Sequence, residues 1–133
     1  MAGDRSTKTR AFAHFGAKAT NVRWGWSART EDGATVVITV WDDDFDADAP
    51  VAILDRYGHR ELHRWRDAPG NRDRIKNLIW ARDNCGGLFR IVVVTARDAD
   101  AYPRSARNFR PHPRVLKLID LNEQTGEFRA VGV

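Results

Sequence analysis

The run TVVITVW at residues 35–41 constrains the chain more than any other stretch. A nearly unbroken series of β-branched side chains crowds a helix but packs well on a pleated strand. Upstream, Val22, Trp24, Trp26 and Ala28 alternate with Arg23, Gly25, Ser27 and Arg29, giving one apolar strand face and one small or cationic face. The turn-forming Glu31-Asp32-Gly33 separates the two segments. Residues 21–45 therefore predict a β-hairpin that carries three of the five tryptophans and ends in an aspartate run.

The remaining elements are placed around this hairpin. Residues 1–9 are polar and are expected to form a flexible N-terminus; residues 10–133 form one globular domain, a length that buries about two-thirds of its unfolded surface. Segment 10–18 reads as a short helix ending at Gly16 or as an irregular arm. Its Phe12 and Phe15 are either a core anchor or, with Lys8, Arg10 and Lys18, an aromatic and basic surface for nucleic acid. A third strand is expected at 51–55 and a turn at 56–59, while 59–67 reads either as an amphipathic turn of helix or, preferred, as a strand with Glu61, His63 and Trp65 on one face. Asn71 is the expected N-cap of a helix running to about Asp83, with Ile75, Leu78 and Ile79 as its buried stripe and residues 84–87 as its stop. Trp80 falls off that stripe and needs another neighbour or a ligand. Residues 88–95 read as a buried central strand, and 96–113 as a long irregular loop of functional character. A second hairpin is expected from 115–121 and 127–131 around the turn at 122–126. The sum is an α+β fold, a small mixed, mostly antiparallel β-barrel of about six strands with one or two packed helices.

Charge narrows the function classes. The formal net charge is +4, and the acidic side chains Asp42, Asp43, Asp44, Asp46 and Asp48 gather in one segment, which leaves the rest more cationic than the total implies. Arginine outnumbers lysine, and its planar fork suits phosphates and base edges, although a GC-rich genome produces the same bias. No apolar run is long enough for a bilayer, and the opening residues lack the apolar core of a signal peptide. The single cysteine, Cys85, fits a reducing compartment, so a cytoplasmic chain without membrane contact is expected.

Several constellations carry possible chemistry. Trp24, Trp26 and Trp41 lie on paired strands whose cross-strand neighbours approach within about 5 Å, so they wall one pocket for an extruded base or serve as core. Ser27 and Asp42 stand near the strand ends as base-edge readers. Lys18, Arg23, Arg72, Arg104, Arg107 and Arg110 are the candidate backbone contacts, with prolines stiffening the loop that holds the last three and Tyr102 or Phe109 available to stack. The clustered aspartates raise a metal-dependent nuclease, but no D-(E/D)-x-K arrangement accompanies them, and a solvated loop is the competing reading. His59 and His63 have the i, i+4 spacing of metal ligands without the zincin order, and Cys85 has no placeable histidine partner. No catalytic residue, metal or cofactor is assigned.

The succession of RWGWSA, VVITVWDDDF, a helix followed by GGLFRIVVVTARD, and VLKLIDLNEQTGEFRAV resembles small modified-base reader modules of the PUA-like superfamily. These are the EVE, YTH and ASCH-type domains, some of which accompany HNH restriction endonucleases. The resemblance implies a compact β-barrel that flips a modified base into an aromatic cage and grips the backbone with basic loops. It makes Trp24, Trp26 and Trp41 cage candidates, Asp42 an edge reader, DNA or RNA the partner and an effector nuclease an associate. The chain shows no HNH half, so nuclease activity is not implied. The expected function is thus a nucleic-acid-binding module reading a modified or flipped base. A nuclease using residues 42–48 and a protein-interaction domain built on the tryptophans are the alternatives.

Overall fold

The two most β-branched runs of the chain become its two central strands. The structure, a computed structural model, describes residues 7–19, 25–46, 53–55, 65–98, 100 and 105–133. In chain order the elements are α1 (Lys8–His14), β1 (Ala17–Lys18), β2 (Ser27–Thr30), β3 (Val36–Trp41), a 3-10 turn (Asp42–Asp44), β4 (Phe45–Asp46), β5 (Ile53–Asp55), α2 (Pro69–Asn84), β6 (Leu88–Ala96), β7 (Ala106–Pro111), β8 (Leu116–Leu121) and β9 (Phe128–Gly132).

β3 and β6 pair in parallel from Val37↔Arg90 to Trp41↔Val94, and the other described pairings are antiparallel. A parallel pair is normally covered on both faces, which is why these strands read as continuous apolar runs. One face, with Val36, Ile38, Val40, Phe89, Ile91 and Val93, packs on Leu78 and Ala81 of α2 and on Leu54, Leu116, Phe128 and Ala130. The other, with Val37 and Val92, packs on Ala11 and Phe12 of α1. Phe12, Phe89 and Phe128 are at most 1% exposed, and burying each contributes roughly 2 kcal/mol.

Strand order is β1-β2-β3-β6-β8-β9-β5-β4, with β7 also paired to β6. β6 divides its far edge between two partners. Leu88 and Phe89 pair with β8, and residues 92–96 pair with β7. Although β4 stands at the far end of this order, only the 3-10 turn separates it from β3 in the chain. The circuit is therefore joined by a covalent link and not by a ladder. This corrects the expected six-stranded barrel: the described fold is α+β and mostly antiparallel, but its sheet has nine strands, two helices pack on it, and it is not closed. Among the described residues no helix is long and apolar enough to cross a membrane.

Four local expectations change. α1 begins at Lys8, where Thr7 Oγ1 accepts from the Arg10 N–H at 3.2 Å, so ordered structure starts inside the segment expected to be flexible. α2 begins at Pro69, whose missing N–H costs nothing in a first turn. Asn71 is not its cap. It is fully buried, donating from Nδ2 to the carbonyls of Arg66 (2.7 Å) and Thr125 (2.9 Å) while Oδ1 accepts from Arg74 (3.0 Å). This ties the helix to the β8–β9 turn, where Gly126 passes so close that a Cβ would collide with the amide. Trp80 needs no ligand, since Nε1 donates to the Gly33 carbonyl at 2.8 Å and its ring lies 4.2 Å from the Arg29 guanidinium. Finally, part of the segment expected to be an irregular loop is β7. Its sequence ARNFRP hides a strand because only Phe109 packs on the α1 side, and Pro111 is tolerated at a strand end on a sheet edge.

Candidate functional site

Beyond the last parallel rung, Trp41↔Val94, β6 continues to Thr95, opposite Asn108 of β7. Thr95, Arg107, Asn108 and Arg110 line an open groove of about 470 Å³. Val93 pairs with Arg110, so Thr95, Asn108 and Arg110 project from one sheet face, while Val94 and Phe109 occupy the other. A register shift between Thr95 and Ala96 bends the ladder at the mouth of this groove.

The arginines here differ from those elsewhere. Arg72 bonds Asp67 at 3.1 Å, Arg82 bonds Glu123 at 3.2 Å and Arg129 bonds Asp55 at 3.2 Å. Arg29 stacks on Trp80, Arg90 stacks on Phe15 at 4.9 Å, and buried Arg74 lies between the rings of Trp26, Trp65 and Phe128 at 5.1 to 5.6 Å. Arg97 donates to the Ala106 carbonyl. By contrast, the guanidinium groups of Arg107, Arg110 and Arg114 show no carboxylate, carbonyl or ring partner among the described residues. All three sit on β7 or the turn after it.

His112 reports the resulting field. Its ring lies edge-on to Phe45 at 5.0 Å, and Nδ1 accepts from the Arg114 N–H at 3.1 Å. Burial, then the charges of Arg110 and Arg114, hold its pKa below the ordinary 6.5. The unfolded chain therefore takes up this proton first. Stability is expected to fall as pH drops through about 6.5, levelling once the folded pKa is passed. Thermal denaturation between about pH 7 and pH 5 should show a smaller loss in His112→Asn, whose amide oxygen keeps the Nδ1 acceptor without a titrating ring.

The sequence-predicted residues divide. Arg107 and Arg110 come together in the groove. Lys18 is exposed on β1, four strand spacings from β7, roughly 19 Å across the sheet. Arg72 is committed to Asp67 on α2. Arg23, Arg104 and Trp24 lie outside the described residues, as do Tyr102, Asp48, His59 and His63. Ser27 leaves the proposed base pocket: it is fully buried, its hydroxyl donating to Asp73 at 3.1 Å and accepting from Asn77 at 2.7 Å. The small or cationic face of β2 is the one on which α2 docks. The Trp26 ring meets Arg74 of that helix, whereas Trp41 shares its sheet face with Val94 and Phe109. These two indoles therefore do not wall a common cage. Trp41 remains half-buried at the end of β3, and Asp42 is exposed beside it in the 3-10 turn packed on β6.

Other reactive groups are quiet. Burial pushes the Cys85 thiol up, against a smaller opposing effect of Arg29, and Sγ lies 3.5 Å from the Gly33 carbonyl, which is not the setting of an activated nucleophile. Among the described residues no group of three His, Cys, Asp or Glu side chains is placed to hold a metal ion. Thr95 and Asn108 were missed as site residues by sequence reasoning; the pairing of β6 with β7 is what assembles them. Comparison with protein-family models, with curated proteins and with solved structures finds no match to this chain.

Proposed function

We propose that this protein is a nucleic-acid-binding module that holds phosphates with Arg107, Arg110 and Arg114 and admits an unstacked base to the adjoining groove. The observation that supports this reading is that Arg107 and Arg110, whose guanidinium groups have no partner among the described residues, line one groove, with Arg114 likewise unengaged in the turn after β7. Like charges held together raise the local potential, felt at His112, and a polyanion relieves it. Phosphate contacts fix position, while the neutral polar groups of the groove face a base. Trp41 lies on the opposite sheet face, with Val94 and Phe109, and takes no part in this groove. A modified base is the sense in which the PUA-like resemblance extends the proposal.

The test is a salt titration. Binding of a labelled single strand should weaken with a slope of about −2 in log K against log salt for three phosphate contacts. Arg110→Gln should reduce that slope by about 0.7. Duplexes carrying N6-methyladenine or 5-methylcytosine, beside unmodified controls, report the modification. Affinity independent of salt, or self-association without nucleic-acid binding, would remove the proposal.

A further inference from the structure

The groove is not only cationic. Thr95 and Asn108 oppose each other across the β6–β7 ladder, and both are half-buried. Their hydroxyl and amide groups show no hydrogen-bond partner among the described residues. The amides of Asn71, Asn77 and Asn122, also withdrawn from water, are all bonded within the chain. Neither group is sealed from water, the buried unpartnered side-chain atoms among the described residues being Nε of Arg74 and of Arg90, so both are open to a ligand that enters the groove.

We infer that Asn108, assisted by Thr95, reads the edge of an unpaired adenine, an inference that rests on the nucleic-acid reading above. The amide presents an acceptor beside donors, and adenine presents an amine beside a ring nitrogen, so the two close a bidentate pair. The open groove, at about 470 Å³, has room for one nucleotide, since pockets for single small ligands run from about 300 to 1,000 Å³. A reader lying half-buried in a concavity does not reach a base stacked inside a duplex. The base must leave the stack to meet it. Arg107 and Arg110 flank Asn108 in sequence and line the same groove, so backbone phosphates on either side of that nucleotide have charged partners within reach.

Fluorescence anisotropy with labelled dA15, dC15 and dT15 tests this on the full chain. Wild type should bind dA15 roughly tenfold more tightly than dT15. Asn108→Ala should bring dA15 down to the dT15 level while dT15 binding stays within about twofold, and the isosteric Thr95→Val should lower the dA15 preference without abolishing it. Circular dichroism confirms that each variant is folded. Equal wild-type affinity for the three oligonucleotides, or an Asn108→Ala loss shared equally among them, overturns adenine reading and leaves the nucleic-acid proposal standing. Failure of all three to bind overturns both.

Discussion

Reversing the charge of Arg107 and Arg110 together, to glutamate, is expected to weaken nucleic-acid binding at least a hundredfold while leaving the fold intact. Each change removes a charge-assisted phosphate contact, and losing two costs about 3 kcal/mol before the repulsion of the new carboxylates is counted. The fold should be indifferent because both side chains are exposed and neither guanidinium has a partner among the described residues. The control is Lys18→Glu with Lys76→Glu, which alters net charge by the same amount. Lys18 is on the opposite sheet edge and Lys76 is on the exposed side of α2. If binding depends only on overall charge, the two double variants will weaken alike. If the groove is the site, only the arginine pair will reach a hundredfold in equilibrium anisotropy at fixed salt, with unchanged melting temperatures.

The second large effect concerns stability. Asn71→Ala is expected to destabilise the protein by about 3 kcal/mol, because two carbonyls and the buried Arg74 lose hydrogen-bond partners at once. For a chain of this size that corresponds to a fall in melting temperature of roughly 10 °C. Asn71→Asp keeps an acceptor for Arg74 but loses both donors, and should fall between wild type and Ala. A melting temperature unchanged in Asn71→Ala would show that the tie between α2 and the β8–β9 turn carries little of the stability.

The strands with strong internal patterns were legible in the sequence. β3, β6 and the β8–β9 hairpin follow from β-branched runs and turn chemistry, and the end of α2 follows from its glycines. Asn71 was misassigned because capping and burial demand the same side chain, and only the distant turn at Thr125 decides between them. β7 was missed because its stability comes from the ladder with β6 and not from its own composition. The face of β2 was misjudged for a related reason. Alternation shows that Ser27 and Arg29 share a side, but not that a helix bearing Asp73, Asn77 and Trp80 will supply matching polar partners there. Arginine abundance pointed to an anionic partner, yet abundance does not separate guanidinium groups engaged inside the chain from those left open. All three open ones, Arg107, Arg110 and Arg114, lie in the arginine-rich stretch between residues 97 and 117.

β3 ends at Trp41 and β6 begins at Leu88, yet they lie side by side. Joining them closes a long loop whose entropy must be offset before any contact across the parallel ladder forms, so this pairing is a slow, non-local step of folding. β7 can only add to β6, and the groove lies one residue beyond the β3–β6 ladder. The groove itself, however, is lined from β6 and β7 alone, an antiparallel pair consecutive in the chain, so recovery of oligonucleotide binding during refolding should follow that local pairing and need not wait for the parallel junction.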